Sequence, residues 1–534
     1  MAVINPSDPA VLPLPPARAP LIPYLPIRTA LRVVLPALLL GWVGDALFYR
    51  HPLGVNFPLF TALTLATLFW VARREGVSPS RRNLWPIVPT LFFALMVAVR
   101  QNELLTILNV LAVGALLSLL AWFFAHGRLE ALGLLGYPAA ITASLAGSCA
   151  RPVPAFAATG RLVVGQRIKV RRSVPVLRGA LLALPLLLVF TALLYSADSI
   201  FAGYVDDVFE IDLFTHLPER LWRLTLIFTA AWVIAGGILV ALRRHARPDA
   251  VTDGAPLITR LRLGIGETAT ILLLVDALFA AFVWVQFAYL FSGEAARTMH
   301  FEQYRLYARR GFGELLAVSV MTLLLIASLR AVAWRPEWTS RFSVHSRRDA
   351  RLFNALATTM IALTLVMLLS AFQRMLQWES VEFYINTATR LYVRWFIVWL
   401  AVAFAWMAGT LWLRPDRFAI GGFVAGLGFL VSMNLQDPDA DVARFNLARQ
   451  DELSARYVTL LSDDAVAALA AALASPEQSS ALPPDVRARI AAHLDYRLSA
   501  YERAPSGWEH WPSAHLGRAR ARGALLTLRQ KGLI

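Results

Sequence analysis

The chain has 534 residues, 57% of them hydrophobic and 16% charged. Soluble domains run at about 45–50% apolar and about 25% charged. A soluble enzyme is therefore excluded, and a single cysteine, Cys149, excludes a disulfide scaffold. The net charge of +16 is carried almost entirely by arginine, with Lys169 and Lys531 as the lysines.

Residues 1–29 hold prolines at 6, 9, 13, 15, 16, 20, 23 and 26. Such a stretch is extended and polyproline-like. It lacks the compact apolar core of a secretory signal, so it reads as a cytoplasmic lead-in. A membrane span needs about 20 mainly apolar residues, with a working range of about 17–25. Runs of that kind lie near 30–49, 53–72, 84–99, 104–125, 176–195, 221–242, 264–291, 314–330, 352–372, 391–413 and 418–433. The expectation is an all-α polytopic bundle of about eleven spans over 30–433. The segments 84–99 and 418–433 are the shortest. The segment 131–148 is broken by Gly133, Gly136, Pro138 and Gly147; it reads as interfacial or re-entrant in preference to a twelfth span. The alternation at Arg161–Val170 reads as a solvated basic loop, with a short hairpin as the alternative.

The connecting loops sort by charge. Residues 73–83, 126–175, 243–262 and 330–351 carry +3, +6, +3 and +4, while the alternate loop 196–219 carries −6. Only 292–313, at +2, runs against the trend. Excess Lys and Arg marks cytoplasmic loops. The expected topology is a cytoplasmic N-terminus in a bacterial inner membrane, with the acidic loop and the tail after 433 on the outer side. The basic charge is a topology signal, and no nucleic acid is implied.

From 434 the hydropathy falls and the charges balance. Asp439–Leu461, Ser462–Ala474, Pro483–Tyr501 and Ser513–Gln530 read as amphipathic helices of a small extramembrane module, 434–534, with Ser462 or Asp463 capping the second. Such a module offers a surface for a protein partner; the oligomeric state is left open.

No metal site is expected, because the nine histidines are scattered and no HExxH or paired cysteine occurs. Neither GxSxG nor a Walker-type loop is present, so no catalytic residue and no cofactor are assigned. Charges inside spans are the informative polar groups, since each costs about 2.5–3.5 kcal/mol at a helix centre on insertion scales. Asp276 lies mid-span, and Gln286 follows ten residues later on the same broad face. Together they are candidates for an ion or substrate pathway, against the plainer role of an Asp locking two helices. A second candidate is an outer polar cluster that sets Asp198, Asp206 and Asp207 against Arg309 and Arg310. Gly422 and Gly426 stand at GxxxG spacing, which permits close helix approach or self-association, internal packing being the commoner use in a large bundle. Trp395, Trp399, Trp406 and Trp412 read as packing and lipid-belt residues.

Several stretches carry a family resemblance. They are RGALLALPLLLVFTALLYSADSIF (178–201), WVQFAYLFSGE (284–294), YARRGFGEL (307–315), NLQDPDADVARFNLAR (434–449) and LSDDAVAAL (461–469). The chain resembles the bacterial domain of unknown function 4173 family, related to the 4153 group. The motif positions include Tyr307, Gly311, Phe312, Asn434 and Asn446. Two positions depart from the pattern: Leu306 stands where an acidic residue is expected, and His515 where Asn is expected. The resemblance implies an integral envelope protein with a helical tail and supplies no substrate. Three function classes stay open: transport or lipid handling through a polar site in the bundle, a non-enzymatic sensor or scaffold using the tail and acidic loop, and, behind these, an enzyme on lipid-linked substrate.

Overall fold

A computed structural model describes residues 26–133, 136–165, 217–242, 263–291, 301–333, 344–379, 387–414, 417–448, 457–503 and 510–534. Every regular element among the described residues is helical. The longer helices, in order, are α1 (Ile27–Phe48), α2 (Asn56–Arg74), α3 (Ile87–Met96), α4 (Glu103–Phe123), α5 (Gly136–Ala150), α6 (Pro152–Gly165), α7 (Leu217–Ala241), α8 (Ile265–Phe291), α9 (Phe301–Ala333), α10 (Val344–Glu379), α11 (Ala388–Leu413) and α12 (Phe418–Gln436). The tail adds α13 (Pro438–Leu447), α14 (Val466–Ala474), α15 (Pro476–Ala481), α16 (Pro484–Glu502) and α17 (Leu516–Gln530).

Eight of these are long and apolar enough to cross a membrane: α1, α4 and α12, and most or all of α7, α8, α9, α10 and α11. The run at 176–195 lies outside the described residues. The broken segment 131–148 forms α5, whose 15 residues reach about 22 Å at about 1.5 Å per residue, short of the roughly 30 Å hydrocarbon core. The alternation at 161–170 is helical as far as Gly165, so the loop and hairpin expectations both fail there. In the tail, the helix expected over 439–461 stops at Leu447; 449–456 lie outside the described residues. Ser462 does cap the next turn, accepting from the Asp464 amide.

The short run 84–99 is instructive. Its regular helix, α3, has only ten residues, but turns at both ends extend it from Leu84 to Arg100. Asn83 at its start donates to the Phe123 carbonyl at the end of α4 (2.8 Å). Its far end adjoins Asn102, which caps the start of α4. The segment therefore runs antiparallel to α4 over most of that helix's length.

The chain divides into two compact units, Met1–Gly41 with Ser148–Leu239, and Trp42–Gly147 with Val240–Ile534. In the first, the Trp232 indole donates to the Cys149 carbonyl (2.9 Å) and stacks on Phe156 at 5.0 Å. A Cβ on Gly236 would overlap the Ser148 backbone.

In the second unit the helix ends fall on two faces. One face holds the α2 terminus at Arg73 and Arg74, the turn at 80–83, residues 124–131, the start of α10 and the α11–α12 junction. Asn354 of α10 donates to the Leu411 carbonyl of α11 (2.8 Å), and the Arg330 guanidinium of α9 lies 5.1 Å from the Phe418 ring centre. These ends adjoin the basic loops, so we call this the basic face. The opposite face holds residues 47–56 and 98–103, the start of α11 and the end of α12, and the tail docks there. The tail has its own core of Val458, Leu461, Val466, Leu469, Ile490, Leu494, Leu525 and neighbours.

α11 and α12 pack through ring-over-glycine contacts. Trp406 sits against Gly421 and Trp399 against Gly428, where a Cβ would overlap the rings. The Trp399 indole donates to Ser432 Oγ (3.0 Å). Gly426 has nothing within 4 Å. Close approach here uses glycines seven apart, two turns on one helix face, and Gly426 does not contribute as its GxxxG spacing suggested.

Candidate functional site

Two polar constellations stand out inside the second unit, one within the bundle and one where the tail docks. The first centres on Asp276, in α8 about 16 Å along the helix from Ile265 at about 1.5 Å per residue. Leu274 and Leu278 on the same helix are exposed, at 66% each, whereas Asp276 is 5% exposed. Two residues along a helix turn the side chain through about 200°, so the carboxyl faces the packed interior while the leucines face outward. Both of its oxygens are buried and neither has a hydrogen-bond partner among the described residues. Gln286, lower on the same helix, is partnered: the Ser370 hydroxyl of α10 donates to its Oε1 at 2.6 Å. Gln286 thus joins α8 to α10, and Asp276 is left as the unsatisfied group. The buried hydroxyls Thr268, Ser319, Thr322 and Thr364 each donate to the backbone carbonyl four residues back along the chain.

The second constellation is a seam between the bundle and the tail. Arg100, 9% exposed, donates through Nε to the Asn434 carbonyl (2.7 Å) and pairs with the Asp437 carboxylate. Asp437 ends α12 in the left-handed conformation (φ 53°) and caps α13, where Pro438 occupies the first turn. A short-side-chain Asp tolerates that backbone better than most residues. Asn102 caps α4 and donates to Asp439 Oδ2 (2.9 Å), which also accepts from the Ser462 amide and hydroxyl. Asp464 accepts from the amides of Gln101 (2.8 Å) and Asn102 (3.3 Å). Deeper in, Asn109 of α4 and Asn434 of α12 exchange two side-chain amide bonds, each 2.8 Å, and both are fully buried.

A second strand of the seam ties the tail to residues 53–56 and 98–100. The Leu516 amide donates to the Ala98 carbonyl (2.8 Å) and the Val55 amide to the Ala514 carbonyl (2.9 Å). Arg518 donates to the carbonyls of Leu53 (2.6 Å) and Ser513 (3.0 Å). His515, where Asn was expected, caps α17 by accepting from the Arg518 amide. Burial, reinforced by Arg518, pulls its imidazole down to about 4. Burial together with the Asp437 charge pushes the Asp464 carboxyl up to about 7, against the lowering pull of the Gln101 amide.

The sequence-derived candidates fare unequally. Asp276 and Gln286 share α8 but have different surroundings. Asp198, Asp206 and Asp207 lie outside the described residues, so their pairing with Arg309 and Arg310 is not brought into view. Tyr307, Arg309, Arg310, Gly311 and Phe312 lie in the N-terminal part of α9, just before its apolar stretch Gly313–Arg330. Asn434 and Asn446 are buried, at 0% and 1% exposed, Asn434 at the heart of the seam. The sequence reading passed over Arg100, Asn102, Asn109, Asp439 and Asp464. Loop 100–103 carries one Arg and one Glu and so has no net charge to draw notice. The signal available was Asn109, an amide inside an apolar helix, which demands a partner on another helix. Among the described residues no group of three or more His, Cys, Asp or Glu could hold a metal ion.

A chain whose described elements are all helical, eight of them long and apolar enough to cross a membrane, with a helical module docked on one end, is a multi-span membrane protein. The family model for the domain of unknown function DUF4153 matches residues 87–472, and the chain belongs to that family. It is the group named above as the relative of the 4173 family. The match takes in most of the bundle and the seam from Arg100 to Asp464, and stops before His515 and Arg518. No curated protein and no solved structure matches the chain.

Proposed function

We propose that this protein transports a substrate or handles an envelope lipid through a polar site inside the bundle, with Asp276 as the group that takes a proton or cation. One observation carries this reading: both Asp276 oxygens are buried and lack a hydrogen-bond partner among the described residues. A carboxyl that only locked two helices together would be spent on a donor, as Gln286 is on Ser370. Burying a polar group without such a bond is costly, and a site that must bind and release an ion keeps its ligand uncommitted. The accompanying topology is eleven spans in a bacterial cytoplasmic membrane, with the basic face cytoplasmic and the tail outside. The clustering of Arg73, Arg74, Arg82, Arg128, Arg330 and Arg417 on the face opposite the tail supports it.

The test is carbodiimide labelling of the purified full-length protein. Carbodiimides modify membrane-embedded carboxyls, and the adduct is located by mass spectrometry. Labelling at Asp276 that disappears in Asp276→Asn, and that changes with pH or is blocked by Na⁺ or K⁺, is expected. Labelling indifferent to pH and to both cations would mean a structural carboxyl and would sink the proposal.

A sensor or scaffold is the second reading. It draws on the exposed apolar side chains of the tail, Leu460 at 77% and Tyr496 at 65%. Leu460→Ser with Tyr496→Ser should then abolish co-purification of a partner while leaving Asp276 labelling intact.

A further inference from the structure

On the basic face, a pocket of about 100 Å³ is lined by Arg82, Asn83, Arg128, Glu130, Ala131 and Arg417. Three arginines and one glutamate line it. Among the described residues Arg417 alone of the three is paired, to Glu130 at 3.1 Å, and that pair is itself half exposed. Arg82 and Arg128 are exposed and make no ion pair among the described residues. Like charges gathered around one small cavity repel each other, and an anion between them relieves that repulsion.

The frame beneath the arginines is rigid. Asn83 is buried, 2% exposed. Its amide donates to the carbonyls of Phe123 (2.8 Å) and Gly127 (3.1 Å), and its oxygen accepts from the Leu129 amide (3.2 Å). The Ser80 amide donates to the Phe124 carbonyl (2.8 Å). Gly127 turns at φ +83°, a conformation that suits glycine. These bonds hold the 80–83 turn and the 123–131 segment as one piece. Arg417 is fixed from the other side, its carbonyl accepting from the Trp406 indole (3.1 Å). The pocket sits at the ends of α4 and α12, both apolar helices of spanning length, which is the level of lipid headgroups. A cavity measured in tens of water volumes would take a whole lipid; this one has room for a few waters at about 30 Å³ each, the scale of a phosphate group.

We infer that this pocket binds a phosphate-bearing anion, either the headgroup phosphate of an anionic lipid or free phosphate. Guanidinium is the side chain best matched to it, since its planar fork meets two phosphate oxygens at once. This inference is independent of Asp276.

The test titrates the detergent-purified full-length protein with inorganic phosphate, with dioctanoyl phosphatidylglycerol and with dioctanoylglycerol, following binding calorimetrically. Saturable, salt-weakened binding of phosphatidylglycerol alone assigns the headgroup, and binding of phosphate as well assigns the free anion. In Arg82→Gln/Arg128→Gln, binding should weaken by about tenfold or more, as for loss of charge-assisted hydrogen bonds. Both arginines are exposed, so the variant should elute and fold as the parent does. Glu130→Gln removes the competing carboxylate and should tighten binding, an outcome misfolding cannot imitate. Three results would overturn the inference: no binding of either phosphate probe, equal binding of dioctanoylglycerol, or parental affinity in the double variant.

Discussion

Asp276 in the bundle and the Arg100, Asp439 and Asn109 groups of the seam beneath the tail are buried in opposite ways. At the seam Arg100 meets a carboxylate and carbonyls, Asp439 meets an amide side chain, a backbone amide and a hydroxyl, and Asn109 meets Asn434. In the bundle Asp276 meets no donor among the described residues. A matched network recovers the desolvation of its members and fixes one geometry. An unmatched carboxyl recovers nothing, which is the ground on which Asp276 is proposed as a binding group. The contrast separates a structural joint from a candidate site without reference to any substrate.

The largest expected effect tests the joint. Arg100→Ala leaves Asp437 without its cation at a largely buried position, and breaking a buried pair from one side costs about 3–5 kcal/mol. The tail should loosen, read as faster proteolysis between 434 and 534 and a lower thermal midpoint. Asp276→Asn, by contrast, should leave the thermal midpoint nearly unchanged while removing the carbodiimide adduct. A large drop in stability from Asp276→Asn would erase the distinction.

A sharper version uses the amide pair. Asn434→Leu strands Asn109, costing about 1–3 kcal/mol for a buried unsatisfied group. Asn109→Leu should cost a similar amount, and the double substitution clearly less than the sum. Additive losses would show that the pair is not a coupled unit.

The pH dependence of docking has two opposed contributions. Asp464 titrates at about 7 when folded against 3.8 ordinarily, so the folded state holds the extra proton between these values. Its contribution is fully present below about pH 4 and is lost as pH rises to about 7. His515 titrates at about 4 when folded against 6.5 ordinarily, so the unfolded state holds the extra proton and stability rises with pH across that window. Between about pH 4 and 6.5 the two offset each other. His515→Asn should therefore expose a midpoint that falls with rising pH, and Asp464→Asn one that rises. The same slope in both variants would rule out these assignments. Arg100, Asp437, Asp439, Asp463 and Arg518 also face these groups and set the baseline.

The smallest perturbation is chemical. Cys149 is free and exposed, and if the basic loop 126–175 is cytoplasmic, as its charge implies, a membrane-impermeant maleimide should label it only after cells are permeabilised. Labelling in intact cells would reverse the sidedness and put the tail in the cytoplasm, favouring an intracellular partner.

Much of this protein was legible in the residues themselves. Long apolar runs become helices because a chain in lipid must satisfy its own backbone, and the runs at 104–125, 264–291, 352–372 and 391–413 all coincide with described helices. Asp276 was visible as a charge among leucines, and its helical phase turned it inward. Ser462 announced its cap because a hydroxyl before an apolar run has one efficient use. Tertiary structure decided the rest. That Asn434, the neutral-looking loop 100–103 and Asp464 form one network depends on contacts hundreds of residues apart, which no local pattern encodes. That glycines 421 and 428 carry the close approach follows from where the tryptophan rings of α11 happen to lie. Gathering Arg82, Arg128 and Arg417 around one pocket likewise required the ends of three separate segments to meet. Periodicity and burial preference are properties of a segment and can be read from it; partnership is a property of the folded arrangement, because a donor's worth depends on which acceptor the fold sets beside it.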